Sequence, residues 1–309
     1  MKTISFFSYK GGAGRSTLAY NVIPILAAEH FEPTAERPMI IIDTDVDSCG
    51  MSYLLDKDDA VTETNCIQHL LGGGVDTRKY NSVADHPFLS QLIPVGNAFD
   101  YPDNNAILLL PAMDNKIINA DAKNNYSDAS VPFMETFESF LRICEEHFDI
   151  PAVIIDSSVG NTATANVSNE AADIIVCCMR PTIQFVNGTR RFLQGMDNDE
   201  KMYSSGKTVI LVPNVIPQNE VYINDALYPQ TAIDKIRIDF TSSFENSMSF
   251  TYNFDMLDPR EFGIPAVNRF MWCEDRLYNK PNLDEIERVA LSRYRKLARI
   301  IDEIDPDGF

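Results

Sequence analysis

Nine residues from Tyr9 to Thr17, YKGGAGRST, concentrate the chemical signal of this 309-residue chain. Three glycines and an alanine strip side chains from a stretch that follows the apolar run ISFFS (4–8) and leads into LAYNVIPILAA. A backbone so freed can curl until successive N–H groups converge on oxygens. The N-terminus of a following helix adds partial positive charge at the same point, so phosphate is the ligand such a loop suits. Ser16 stands where a hydroxyl would ligate Mg²⁺. The plain alternative is a glycine-rich turn with no ligand; the order strand, loop, lysine, hydroxyl pair and helix argues against it. A second set of candidates is acidic: Asp43 and Asp45 in IIDTDVD (41–47), and Asp156 in VIIDSSVG (153–160). Singly, each reads equally as a turn or helix-capping aspartate. Together, three acids at the C-terminal ends of buried strands would repel one another, and a divalent cation is the economical remedy.

These residues need a scaffold, and the apolar pattern supplies one. ISFFS (4–8), MIIID (39–43), ILLLP (107–111), AVIID (152–156), DIIVCCM (173–179) and TVILVP (208–213) are short, nearly continuous apolar runs. They suit strands covered on both faces, as in a parallel sheet. Between them, residues 16–30, 132–147, 183–195 and 283–304 space apolar positions by three or four, the habit of a helix. The alternation predicts an α/β fold, a doubly wound, mostly parallel sheet flanked by helices, in a single domain over 1–309. Pro24 inside the first helix predicts a kink between Asn21 and Ala27. Polar stretches near 74–105 and 113–130 read as long surface excursions. The segment 218–262 carries a helix near 231–246 and no recognisable chemistry.

A formal charge of −19 repels nucleic-acid backbones and anionic lipid unless a local patch intervenes. The one candidate patch is Arg288, Arg293, Arg295, Lys296 and Arg299 in RVALSRYRKLAR, which reads either as a solvated helix face or as a DNA contact. Six cysteines without C-x-x-C spacing read as reduced, mostly buried thiols. No apolar run is long enough to span a bilayer and no signal segment opens the chain, which predicts a cytoplasmic location.

The strict G-x-x-x-x-G-K-[ST] pattern fails at Tyr9 and Arg15. The loop instead resembles K-G-G-x-G-K-[ST]-[ST], the deviant Walker A sequence of the ParA/MinD family of P-loop ATPases, at every position except Arg15. The resemblance extends through IIDTDVD, VIIDSSVG, AADIIVCCMRPT (171–182) and ILVPNVIP (210–217). It implies that ATP lies against Gly11, Gly12, Ala13, Gly14, Arg15, Ser16 and Thr17, with Mg²⁺ near Ser16, Asp43 and Asp156. It further implies that Asp45 orients the attacking water, Gly160 approaches the γ-phosphate, and Asn214 reads adenine with Pro265 of the GIP stretch (263–265) nearby. Lys10 would reach the phosphates of a second ATP-bound subunit. Ser158 stands where the family motif has proline, so the shape of that switch is its own.

The function implied is an ATP-dependent homodimerising switch that partitions or positions a cargo, DNA or a protein assembly, with an unidentified protein partner. Arg15, a planar fork where a compact ammonium is usual, predicts slow hydrolysis. The alternative is a hydrolysis-poor, nucleotide-dependent regulatory or scaffold protein. A tyrosine autokinase with a related loop would expect a tyrosine-rich tail, whereas this chain ends in ARIIDEIDPDGF with Tyr294 alone nearby. Membrane attachment would ask for a basic amphipathic C-terminal helix, and the tail here is acidic.

Overall fold

A computed structural model describes residues 1–73, 76–113, 130–199, 206–217, 221–223, 226–228, 230–257, 263–273 and 275–306. The apolar runs form strands β1 (Lys2–Phe7), β2 (Met39–Asp43), β4 (Ile107–Leu110), β5 (Ala152–Asp156), β6 (Ile174–Met179) and β7 (Lys207–Pro213). With β3 (Ile93–Pro94) and β10 (Phe250–Asn253) they make an eight-stranded sheet in the order β10-β7-β6-β1-β5-β2-β4-β3. The β2–β4, β2–β5, β6–β7 and β7–β10 pairs are parallel and β3–β4 is antiparallel. A separate hairpin pairs β8 (Val221–Ile223) with β9 (Ala226–Tyr228). The α/β, mostly parallel architecture expected from the alternation is the one observed.

The helices are α1 (Arg15–Leu26), α2 (Gly50–Leu54), α3 (Ile67–Gly73), α4 (Ser130–Phe148), α5 (Ala163–Ala171), α6 (Ile183–Asp197), α7 (Gln230–Phe244) and α8 (Glu285–Glu303). Pro24 does not break α1. Its missing N–H removes one bond of a helix that runs on to Leu26, and a π-turn, Ala27–Phe31, follows, closed by Glu32 N–H on the Ala27 carbonyl at 3.0 Å. Among the described residues no helix is long and apolar enough to cross a membrane.

By internal contacts the chain falls into two compact units, Met1–Ser5 with Leu26–Ala172, and Phe6–Ile25 with Asp173–Phe309. In the first, Ile40, Ile42, Leu110, Phe137, Phe140, Cys144 and Ile155 form the buried core. That core also takes Val83, Phe88, Leu89 and Leu92, so the described part of 74–105 is a packed chain of short 3₁₀ turns rather than a surface excursion. Its polar residues made it look exposed; they serve as turn caps, as where the Ser82 hydroxyl accepts from Asp85 N–H. Most of the second expected excursion, 114–129, lies outside the described residues. In the second unit Phe244 stacks on Tyr252 at 4.3 Å between centroids, and Tyr294 and Leu297 of α8 are buried.

Candidate functional site

The loop between β1 and α1 has the backbone its composition implied. Gly12 and Gly14 lie at φ of 81° and 79°, values that favour glycine. A Cβ placed on Gly11 or Gly12 would meet nothing within 4 Å, so both border open space. On Gly14 it would come within 2.7 Å of the Asn214 Nδ2. That amide donates to the Ala13 carbonyl at 2.9 Å and to the Gly14 carbonyl at 3.2 Å. The Cys178 thiol donates to the same Ala13 carbonyl at 3.3 Å, and Leu18 N–H bonds the Gly14 carbonyl at 2.9 Å. In a trans peptide the carbonyl and the following N–H point opposite ways. Drawing the carbonyls of 13 and 14 to Asn214 and Leu18 therefore turns the Gly14 and Arg15 N–H groups away from Asn214.

Arg15 is buried, and its Nη2 donates to the Ser16 hydroxyl at 3.3 Å. The hydroxyl expected at a metal thus accepts from a cation in this structure. The Thr17 carbonyl accepts from the Asn21 side-chain amide at 2.9 Å. Lys10 is exposed, with Nζ 3.4 Å from Gln184 Oε1. Gln184 belongs to a stripe on α6 at spacings of four: the Tyr9 ring lies against Gly188, where a Cβ would meet it at 2.4 Å, and Phe192 stacks on Phe7 at 4.7 Å. The stripe was missed in the sequence, although the spacing of 184, 188 and 192 was its signal. Pro265 bridges to Ile216, and Ile264 N–H bonds the Pro213 carbonyl at 2.9 Å, so the GIP stretch runs beside residues 213–216.

In the other unit, Asp43 and Asp156 end β2 and β5 directly opposite each other in register, and both are fully buried. Asp43 accepts from Asp45 N–H at 3.1 Å, Ser52 N–H at 3.0 Å and the Ser52 hydroxyl at 2.9 Å. Burial, and then the Asp156 charge, push its pKa up to about 7, partly offset by the Ser52 and Asp45 donors. Asp45 is also buried, and its Oδ1 accepts from Ser48 N–H at 3.4 Å, ordering the turn into α2. Gly160 has φ of 71°. Around it, Ser158 Oγ lies 2.6 Å from Thr162 Oγ1 and 2.7 Å from Thr164 Oγ1, and Thr162 caps α5. Neither Ser52 nor this hydroxyl cluster was legible; each is defined by contacts, and no local pattern marks it.

The open faces of Gly11 and Gly12, with the turned N–H groups of Gly14 and Arg15, suit phosphate oxygens. The buried Asp43–Asp156 pair supplies hard oxygen donors whose mutual repulsion a divalent cation would relieve. Among the described residues no cluster of three or more His, Cys, Asp or Glu could hold a metal, so the pair would need further oxygens. In the basic cluster, Arg288, Arg295 and Arg299 are exposed, while Arg293 is half-buried and donates to the Gly263 carbonyl. Arg295 also lies over the Tyr278 ring at 5.9 Å, and Lys296 is half-buried. Five cysteines are buried and Cys273 is exposed, all as free thiols.

No protein-family model matches the chain, and no curated protein matches it. Solved structures do. Apo McdA from Cyanothece aligns over 97% of this chain and 99% of its own, with TM-score 0.61 and 16% identity. The cell division ATPase MinD of Pyrococcus furiosus aligns over 98% and 99%, with TM-score 0.61 and 16% identity. A putative plasmid partition protein from Borrelia burgdorferi bound to AMPPNP aligns over 96% and 99%, with TM-score 0.57 and 15% identity. Chain-length alignment at such low identity shows the fold, and the fold is that of the McdA, MinD and plasmid-partition structures.

Proposed function

We propose that this chain is a ParA/MinD-type P-loop ATPase, one domain built from both units, that binds Mg-ATP and hydrolyses it slowly. The observation that carries the reading is the loop backbone: left-handed glycines at 12 and 14, with the carbonyls of 13 and 14 drawn to one side and the next N–H groups turned to the other. Gly11 through Thr17 bind the triphosphate. Asp43, Asp156 and Ser16 hold the metal, and Gly160 borders the γ-phosphate. Mg²⁺ held by these residues would supply positive charge against the negative charge that develops in phosphoryl transfer to water. Asp45 orients the water, and Asn214, whose amide hydrogens are spent on the loop, offers its Oδ1 to the adenine amino group. Lys10 serves the phosphates of a second subunit, so ATP favours the dimer and hydrolysis releases it. The cargo is DNA or a protein assembly, recruited by the dimer.

Turnover is slow because Arg15 occupies the lysine position and engages the Ser16 hydroxyl. The same contact favours the second reading, a nucleotide-dependent scaffold that hardly hydrolyses ATP. Calorimetry with Mg-ATP and a phosphate-release assay separate the two. Arg15→Lys is expected to raise turnover about tenfold or more; equal rates in both proteins would remove Arg15 as the brake. Asp45→Ala should accumulate an ATP-bound dimer on sizing chromatography, and a monomer peak with ATP present counts against the switch. A DNA cargo would use Arg288, Arg295 and Arg299, exposed at helical spacings of seven and four. Binding that ignores salt, ATP and Arg295→Ala discards that cargo.

A further inference from the structure

The phosphate loop is held from one side by a turn that is itself strained. Val215 has φ of 58°. Of the non-glycine residues with positive φ among those described, the others are Glu32, Cys49, Asp56, Asp100, Asp149, Asn279 and Asn282, and Val215 alone is β-branched. For such a side chain the left-handed region is a true outlier, whereas Asp and Asn tolerate it.

The bonds on either side show what the strain holds. Before Val215, Asn214 N–H bonds the Met179 carbonyl at 2.8 Å while its side chain bonds the Ala13 and Gly14 carbonyls. After it, Ile216 N–H bonds the Ile264 carbonyl at 3.0 Å and its own carbonyl accepts from Ala266 at 2.8 Å. An ordinary φ at 215 would re-aim one of these flanks. Val215 Cγ2 itself would stand 3.3 Å from a Cβ on Gly14, and the Cys178 thiol lies 3.4 Å from Asn214 Nδ2 while bonding the Ala13 carbonyl.

We propose that Asn214, Val215 and Cys178 form a clamp that presets the phosphate loop before nucleotide arrives, with the left-handed valine as its cost. They are positioning residues, and the clamp's service to a triphosphate rests on the ATP reading above. Presetting places the loop N–H donors during folding, so less ordering remains at binding. Strain kept where surrounding bonds over-determine it is the pattern of a functional site.

Two measurements on nucleotide-free protein test the clamp. The first is hydrogen exchange at the Leu18 amide, which bonds the Gly14 carbonyl, relative to core amides of β7. Asn214→Ala should speed Leu18 exchange about tenfold and Cys178→Ala a few-fold; unchanged Leu18 exchange in Cys178→Ala and Asn214→Ala overturns the proposal. The second is a double-mutant cycle by urea unfolding. Val215→Gly should raise the midpoint in the wild-type background and less in the Asn214→Ala background, where the side-chain part of the restraint around residue 215 is gone. Equal gains in both backgrounds overturn the proposal. If Asn214→Ala does not fold, Cys178→Ala takes its place in both measurements. A Mg-ATP titration of the wild type judges the ATP reading separately: no uptake sinks that reading, while exchange and the cycle still decide the clamp.

Discussion

The glycine loop with Asn214 and the Asp43–Asp156 strand ends both carry a cost that folding alone does not require, and the costs differ in kind. In the loop it is conformational, held in left-handed glycines and a left-handed valine. At the strand ends it is electrostatic, held in two buried carboxylates facing each other in register. Backbone strain is indifferent to pH and metal, while a buried charge pair responds to both. A loop set by geometry suits an anion that needs donors already in place; a pair set by repulsion suits a cation that relieves it.

The largest expected effect breaks the loop. Gly14→Ala forces an alanine into φ of 79° with its Cβ 2.7 Å from the Asn214 amide, and should cost about 2–4 kcal/mol in urea unfolding, equally at pH 6 and pH 8. A loss that changes with pH would blur the contrast between the two regions.

Asp43→Asn should act with the opposite sign. Native Asp43 holds its proton to about 7, whereas the unfolded carboxyl releases it near 3.8. Between those values the folded state binds more protons, so stability falls as pH rises through that window. Without metal, Asp43→Asn should therefore gain about 1–3 kcal/mol over wild type at pH 8 and lose that advantage near pH 4. Mg²⁺ should stabilise wild type and leave the variant unmoved. His86 opposes this slope: burial holds its ring below the usual 6.5, so its contribution is lost as pH falls. Both proteins share that residue, and the difference between their curves cancels it. A flat difference would show that the pair carries no charge cost.

The smallest effect is at Ser158. Ser158→Ala removes hydroxyl contacts of 2.6 and 2.7 Å to Thr162 and Thr164 and should cost about 1–2 kcal/mol by thermal unfolding. An unchanged melting temperature would mean that these hydroxyl contacts add nothing to stability.

Much of the fold was legible because its signals are local. Continuous apolar runs such as AVIID and IIVCCM became strands within a residue of expectation, and three-and-four spacing located α4, α6 and α8. Short elements escaped: α5 is mostly small and polar, and β10 is four residues with no apolar run. The stretch 76–105 misled because turn-forming Asn, Asp and Ser look the same whether they face water or cap a buried turn.

The amino-acid sequence alone determined where strands and helices form and which loop lacks side chains, since periodicity and composition act over a few residues. Only tertiary structure decided that Arg15 is buried against Ser16, that Asp43 meets Asp156 and Ser52, and that a side chain 200 residues away grips Gly14. Those outcomes depend on which distant groups share a dry space, where one donor or one charge reverses the balance, and no neighbour in sequence reports it.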